Sequence, residues 1–243
     1  MEIIRYFGKS FEIPHIEIDS YVPVGGTNQF SDEADLNVFV DGDGLESLVQ
    51  EMQETASNYD KAKLKAWLES ANIDVDAELF ATLYAFTNIY NKHTGFKSDH
   101  AKRKEFYLEN ELPKLSEIIK GQMAECAEIA ALAQLYLQEE RIDSAYFSGE
   151  VIWKKKMEFA EAHSFIPLKF NDNKYIFDPA NPYKVSGTDG TEILMPRIQK
   201  VESFREKISQ EKKTYIETIN VIDKTSAWYG TGNGTNVCEK DFV

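Results

Sequence analysis

The chain of 243 residues has two cysteines, Cys126 and Cys238, and they stand far apart. That spacing excludes a disulfide framework, and with four scattered histidines it offers no zinc-ligand pattern. No metal and no cofactor is expected. No apolar run approaches the roughly 20 residues that a membrane-spanning helix needs. The opening "MEIIRYFGKSF" lacks the basic start and apolar core of a signal peptide. The expectation is a soluble cytoplasmic protein without a membrane partner, delivery by a signal-independent route being the alternative. Basic residues are also scarce. The net charge is −14, and no Lys or Arg occurs between Lys9 and Lys61. A surface of that sign does not bind phosphate backbones, so nucleic acid is not an expected partner.

What fills the basic-free stretch is acid: Asp32, Glu33, Asp35, Asp41, Asp43, Glu46, Glu51 and Glu54. The first reading is a solvated acidic face, the second a docking surface for a basic partner. "DGDG" at 41–44 lacks the later oxygen ligands of a calcium loop and reads as a turn.

The pattern along the chain predicts α+β. Residues 1–26 read as one or two short strands and a loop. Helical spacing follows from Leu45 through Leu68, then from Asp76 to "HTG" at 93–95, with Ser98 as the cap of a further helix and Pro113 in the first turn of another. After Gly121 an Ala-rich helix begins, and beyond it the period becomes two. Residues 144–153, 158–170 and 174–179 read as an antiparallel meander with "KKK" and "NDN" at its turns. Farther on, a strand at "TEILM", a charged helix over 201–208 and a strand at "TYIETINVI" are expected. The division is residues 1–112, strands plus a helical lobe, and 113–243, a catalytic core with a C-terminal extension, or else one continuous domain.

Cys126 falls where the Ala-rich helix starts. A thiol in the first turn faces the positive end of the helix dipole, which favours thiolate, whereas Glu125 and Glu128 oppose it. A nearby cation is therefore required. His163 lies within a predicted strand. A two-residue loop at Asn171-Asp172 sets Phe170 opposite Asn173 and Asp178 opposite Phe165, so His163 is diagonal to Asp178 on one face. Ile166, Leu168, Phe170, Tyr175 and Phe177 share the other. Pro167 removes one ladder donor. Cysteine, histidine and acid are the parts of a thiol nucleophile site.

These residues resemble the transglutaminase-like superfamily of cysteine enzymes. "GQMAEC" and its helix, a strand ending in Gly149, "EAHSF" and "KYIFDPANP" match its order of motifs over residues 115–185. The Gly-to-Cys interval is longer than the common Gly-x-Cys, and Ser164-Phe165 replaces Ala-Trp. The resemblance implies a papain-like core with Cys126 as nucleophile, His163 as base and Asp178 as orienter. It implies acyl transfer at an amide of a protein or peptide, as peptidase, deamidase or crosslinking enzyme. The Cys126 N–H is the natural oxyanion donor and the Gln122 side chain a second candidate. The rival class is an inactive relative serving as a binding module. Arylamine acetyltransfer ranks last, because its Arg-Gly-Gly approach to the cysteine is absent.

Overall fold

The computed structural model describes residues 3–24, 36–153, 160–186, 192–208 and 214–221. It is an α+β structure. Strands β1 (Ile3–Ile13), β2 (Ser20–Pro23) and β3 (Asn37–Val40) come first. Helices α1 (Gly42–Asn58), α2 (Lys61–Ser70), α3 (Ala77–Thr94), α4 (His100–Glu109), α5 (Leu115–Lys120) and α6 (Cys126–Glu139) follow. The strands β4 (Asp143–Ser144), β5 (Tyr146–Trp153), β6 (Ala160–Phe170), β7 (Asn173–Ser186), β8 (Glu192–Ile208) and β9 (Thr214–Val221) end the described chain.

Local chemistry sets most helix ends. "DGDG" is not a free turn: Asp41 is the N-cap of α1 and the glycines form its first turn. The Asp41 carboxylate reaches to α5, where it accepts the Ser116 N–H at 3.0 Å and the Ser116 hydroxyl. The helical pattern from Leu45 to Leu68 breaks into two helices because Asp60 caps a new one, accepting the Ala62 and Lys63 N–H groups. Asp76 caps α3, and Gly95, at φ 62°, closes it in the left-handed conformation that glycine adopts without strain. Asp99, not Ser98, caps α4.

Helix α3 is apolar nearly all round, as a helix enclosed by others must be. Its Phe86 stacks on Tyr136 of α6 and meets Phe177 of β7 edge-on at 5.9 Å. One cluster of buried side chains extends from Ile16 to Ile198, through α3, α6 and the inner faces of β6 and β7.

The long strands pair antiparallel in the order β6-β5-β1-β9-β8-β7, and β7 pairs again with β6, so the ladder closes on itself. The N-terminal strand β1 thus lies between β5 and β9. Behind it, Gln138 of α6 exchanges two hydrogen bonds with the Ile16 backbone, and Gln134 donates to Pro14 O. The β6–β7 turn places Asn171 and Asp172 at φ 45° and 63°, a two-residue loop whose twist suits a hairpin. Its register sets Phe170 opposite Asn173 and Ile166 opposite Phe177. Pro167 sits where the partner strand is interrupted between β4 and β5, so its missing donor falls at a break in the ladder.

Residues 201–208 are not a charged helix but the second half of β8, paired with β9 from Val201↔Val221 to Ile208↔Thr214. Val201, Phe204 and Ile208 carry helix-like spacing, and the adjacent strand overrides it.

The junction of α1 and α5 yields a test. A methyl group on Gly44 would overlap both Asp41 Oδ2 and Ser116 Oγ. Gly44→Ala should cost about 1–3 kcal/mol in urea unfolding. An unchanged midpoint would mean that this junction contributes nothing to stability.

Candidate active site

Cys126 is the first residue of α6, half-buried, behind the N-cap Glu125. As a first-turn residue its N–H has no intrahelical acceptor. The Glu128 carboxylate turns back to accept the Glu125 N–H at 3.0 Å, fixing the chain just before the thiol. The preceding loop is held by the start of α4. The Asp99 N–H donates to Gln122 O at 3.1 Å, Lys102 Nζ to Gly121 O at 3.1 Å and Ser98 Oγ to Met123 O at 3.4 Å. Gln122 itself takes a left-handed φ of 54°.

A cation beside the thiol's acidic neighbours, in addition to the expected imidazolium, is Arg103. It is 1% exposed, and Glu128 is 0% exposed. Arg103 Nε and Nη2 donate to Glu128 Oε1 at 2.9 and 2.6 Å, and the Tyr107 hydroxyl donates to the same oxygen at 2.8 Å. Arg103 Nη1 also stands 3.4 Å from Glu125, whose other oxygen meets His100 at 2.8 Å. Burial opposes the guanidinium charge, but Glu128 more than offsets it, and the Arg103 pKa is raised. Arg103 thus faces both acids beside Cys126 and offsets part of their charge. Neither Arg103 nor Tyr107 stands out in the sequence.

The β6–β7 hairpin supplies the other half. His163 and Asp178 are both buried, with His163 Nε2 3.0 Å from Asp178 Oδ2. Cys126 acts on the same ring, favouring its protonated form. Burial pushes the imidazole pKa down, but the Asp178 carboxylate, with a smaller part from Cys126, raises it to about 10. Burial pushes Asp178 up, yet His163, Arg197 and Asn181 together leave it below the ordinary carboxylate range. The register of β7 against β8 shifts between Asp178 and Tyr183. Within that irregular stretch Asn181 turns back, and its Nδ2 donates to both Asp178 oxygens at 3.2 and 3.1 Å. Phe165 fills the aromatic position beside the histidine, its ring 6.4 Å from the imidazole.

Cys126 and His163 open into a cavity of about 340 Å³ that Glu125, Ile129, Asn181 and Arg197 also line. Gln122 is not part of that lining. The folding chain therefore brings Cys126, His163 and Asp178 together and leaves Gln122 outside, while adding Arg103, Asn181 and Arg197. His93 pairs with Glu51 at 2.7 Å, on the surface. Among the described residues no group of His, Cys, Asp or Glu is arranged to hold a metal ion, and no helix is long and apolar enough to cross a membrane. Of the acidic stretch, Asp32, Glu33 and Asp35 lie outside the described residues, as does Cys238. Asp43 and Glu46 rim a second cavity, of about 640 Å³, between α1 and the end of α6.

No family model, curated protein or solved structure matches the chain.

The pH behaviour follows from the two shifts. Folding raises the His163 pKa, so the pair's contribution to stability is complete below the unperturbed value of 6.5 and is lost as pH rises through about 10. Folding lowers that of Asp178, so its contribution is present above the ordinary value of 3.8 and is lost as pH falls through the lowered one. In an NMR titration the His163 ring should change near pH 10, and in Asp178→Asn several units lower. A wild-type step between pH 6 and 7 would contradict the pairing.

Proposed function

We propose that this chain is a thiol-dependent acyl-transfer enzyme acting at an amide, built on a papain-like, transglutaminase-like core. The observation that carries the proposal is a single buried imidazole, ion-paired at Nε2 with Asp178 3.0 Å away, that lines one cavity with Cys126. The supporting arrangement is a cysteine at a helix start beside antiparallel strands that bear histidine and aspartate, in that chain order. The thiol's half-exposure to a cavity also favours a reacting group over a core residue.

The roles follow from chemistry. With Nε2 engaged by Asp178, the other ring nitrogen, Nδ1, exchanges the proton with sulfur. The Cys126 thiolate attacks the amide carbonyl, and the developing oxyanion lies toward the Cys126 N–H at the positive end of α6. The imidazolium gives its proton to the departing amine, and a thioester remains. Water or a second amine then attacks the thioester carbonyl while His163 accepts its proton. Water makes the protein a peptidase, amidohydrolase or deamidase, and an amine makes it a crosslinking enzyme. Hydrolysis is the default outcome of any thioester that water reaches.

p-Nitrophenyl acetate tests this without knowledge of the natural substrate. A burst of one nitrophenolate per chain, with an acetyl adduct on Cys126 by mass spectrometry, is expected. Cys126→Ala should abolish it, and His163→Ala should slow acylation roughly 10²- to 10⁴-fold. Added primary amine divides the acyl group between water and amine and so decides the acceptor. Absence of any adduct on Cys126 would overturn the proposal in favour of a binding module.

A further inference from the structure

The charged groups at the cavity differ in how fully they are paired. Glu125 is held by His100 and Arg103, and Asp178 by His163 and Asn181. Arg197, on β8 opposite Asp178, is held differently. Its Nε donates to Asn181 O at 2.5 Å, and its guanidinium lies 4.0 Å over the Tyr183 ring. The plane is thus fixed from an edge and from a face. Among the described residues neither Nη group has a hydrogen-bond partner or an acid within ion-pair distance.

We propose that Arg197 is a carboxylate-binding subsite, so that the substrate of the acyl transfer carries a carboxylate next to the amide that Cys126 attacks. The inference rests on the acyl-transfer reading above and adds the chemical class of the substrate. A planar guanidinium with two donors facing one way matches a carboxylate through parallel hydrogen bonds. Held in place before binding, it loses little entropy on capture. The chain's net charge of −14 disfavours anions in general, so an anionic substrate needs such a local cation.

Two alkylating agents of nearly equal size read this directly. The Cys126 sulfur displaces iodide from both iodoacetate and iodoacetamide, a C–S bond forming as C–I breaks and iodide leaves to solvent, and only the first carries a carboxylate. Labelling of Cys126, read site by site by mass spectrometry, should saturate with iodoacetate and run on the order of tenfold faster than with iodoacetamide, as a charge-assisted pair implies. Cys238 in the same molecules serves as the reference and should show no such preference. Arg197→Gln should reverse the preference, and Arg197→Lys should leave part of it. The ratio of the two rates cancels any general change in thiol reactivity. Two peptides then separate the sources of the carboxylate by protecting Cys126: one with a free C-terminus and no acidic side chain, one amidated and carrying glutamate. Protection by either supports the subsite and names its source.

Cys126 that labels with iodoacetamide but shows no iodoacetate preference would overturn the subsite and leave the acyl-transfer reading standing. So would a preference that survives Arg197→Gln, or protection by neither peptide. Cys126 that labels with neither reagent would overturn both.

Discussion

The carboxylate of Glu128 is the constraint on which the site depends. It is enclosed by protein, yet it accepts hydrogen bonds from Arg103, Tyr107 and the Glu125 backbone. Taking two charges out of water costs several kcal/mol for each ion, and only close, fully bonded geometry offsets it. Removing one partner of such a pair typically costs about 3–5 kcal/mol, because the other remains buried and uncompensated. That penalty makes the geometry of the pair strict. Arg103 belongs to α4 and Glu128 to α6, so satisfying the pair fixes where α4 lies, and the first turn of α4 in turn holds the loop that delivers Cys126.

Electrostatics links this hub to the chemistry. Two acids within three residues of a thiol would oppose its ionisation, and Arg103 offsets part of their charge. Cys126 then experiences the α6 dipole and the imidazolium of His163. Asp178 keeps that imidazolium charged, and Asn181 keeps Asp178 in place through both of its oxygens. The network runs from Arg103 on the helical side to Arg197 on the strand side, with the thiol and imidazole between them.

How much of this was readable beforehand varied with the kind of signal. The β6–β7 hairpin was legible, because a two-residue loop fixes register and a strand's side chains alternate strictly; His163 and Asp178 followed from it. The helix start at Cys126 was legible from Gly121 and the Ala-rich run. Arg103 was not. In "HAKRKEFYLE" only Arg103 and Tyr107 are buried, and a search for apolar periodicity passes over a polar pair. Asn181 and Arg197 were hidden by the irregular stretch after Asp178, since no alternation rule crosses a register shift. Residues 201–208 misled because a strand partner distant in sequence outweighs local spacing. Strand β3 went unread for the same reason: its pairing with β2 spans a long intervening segment.

The most direct test of the central claim is the pH dependence of iodoacetamide labelling at Cys126, compared between wild type and His163→Ala. If the His163 imidazolium, which holds its proton up to about pH 10, acts on the sulfur, wild type should label faster than His163→Ala in mildly acid solution. In His163→Ala the rate at acid pH should collapse and climb with pH as for an ordinary thiol. If both proteins show the same climbing profile, or if Cys126 never labels while the chain is folded, His163 does not act on the thiol and the site is not catalytic.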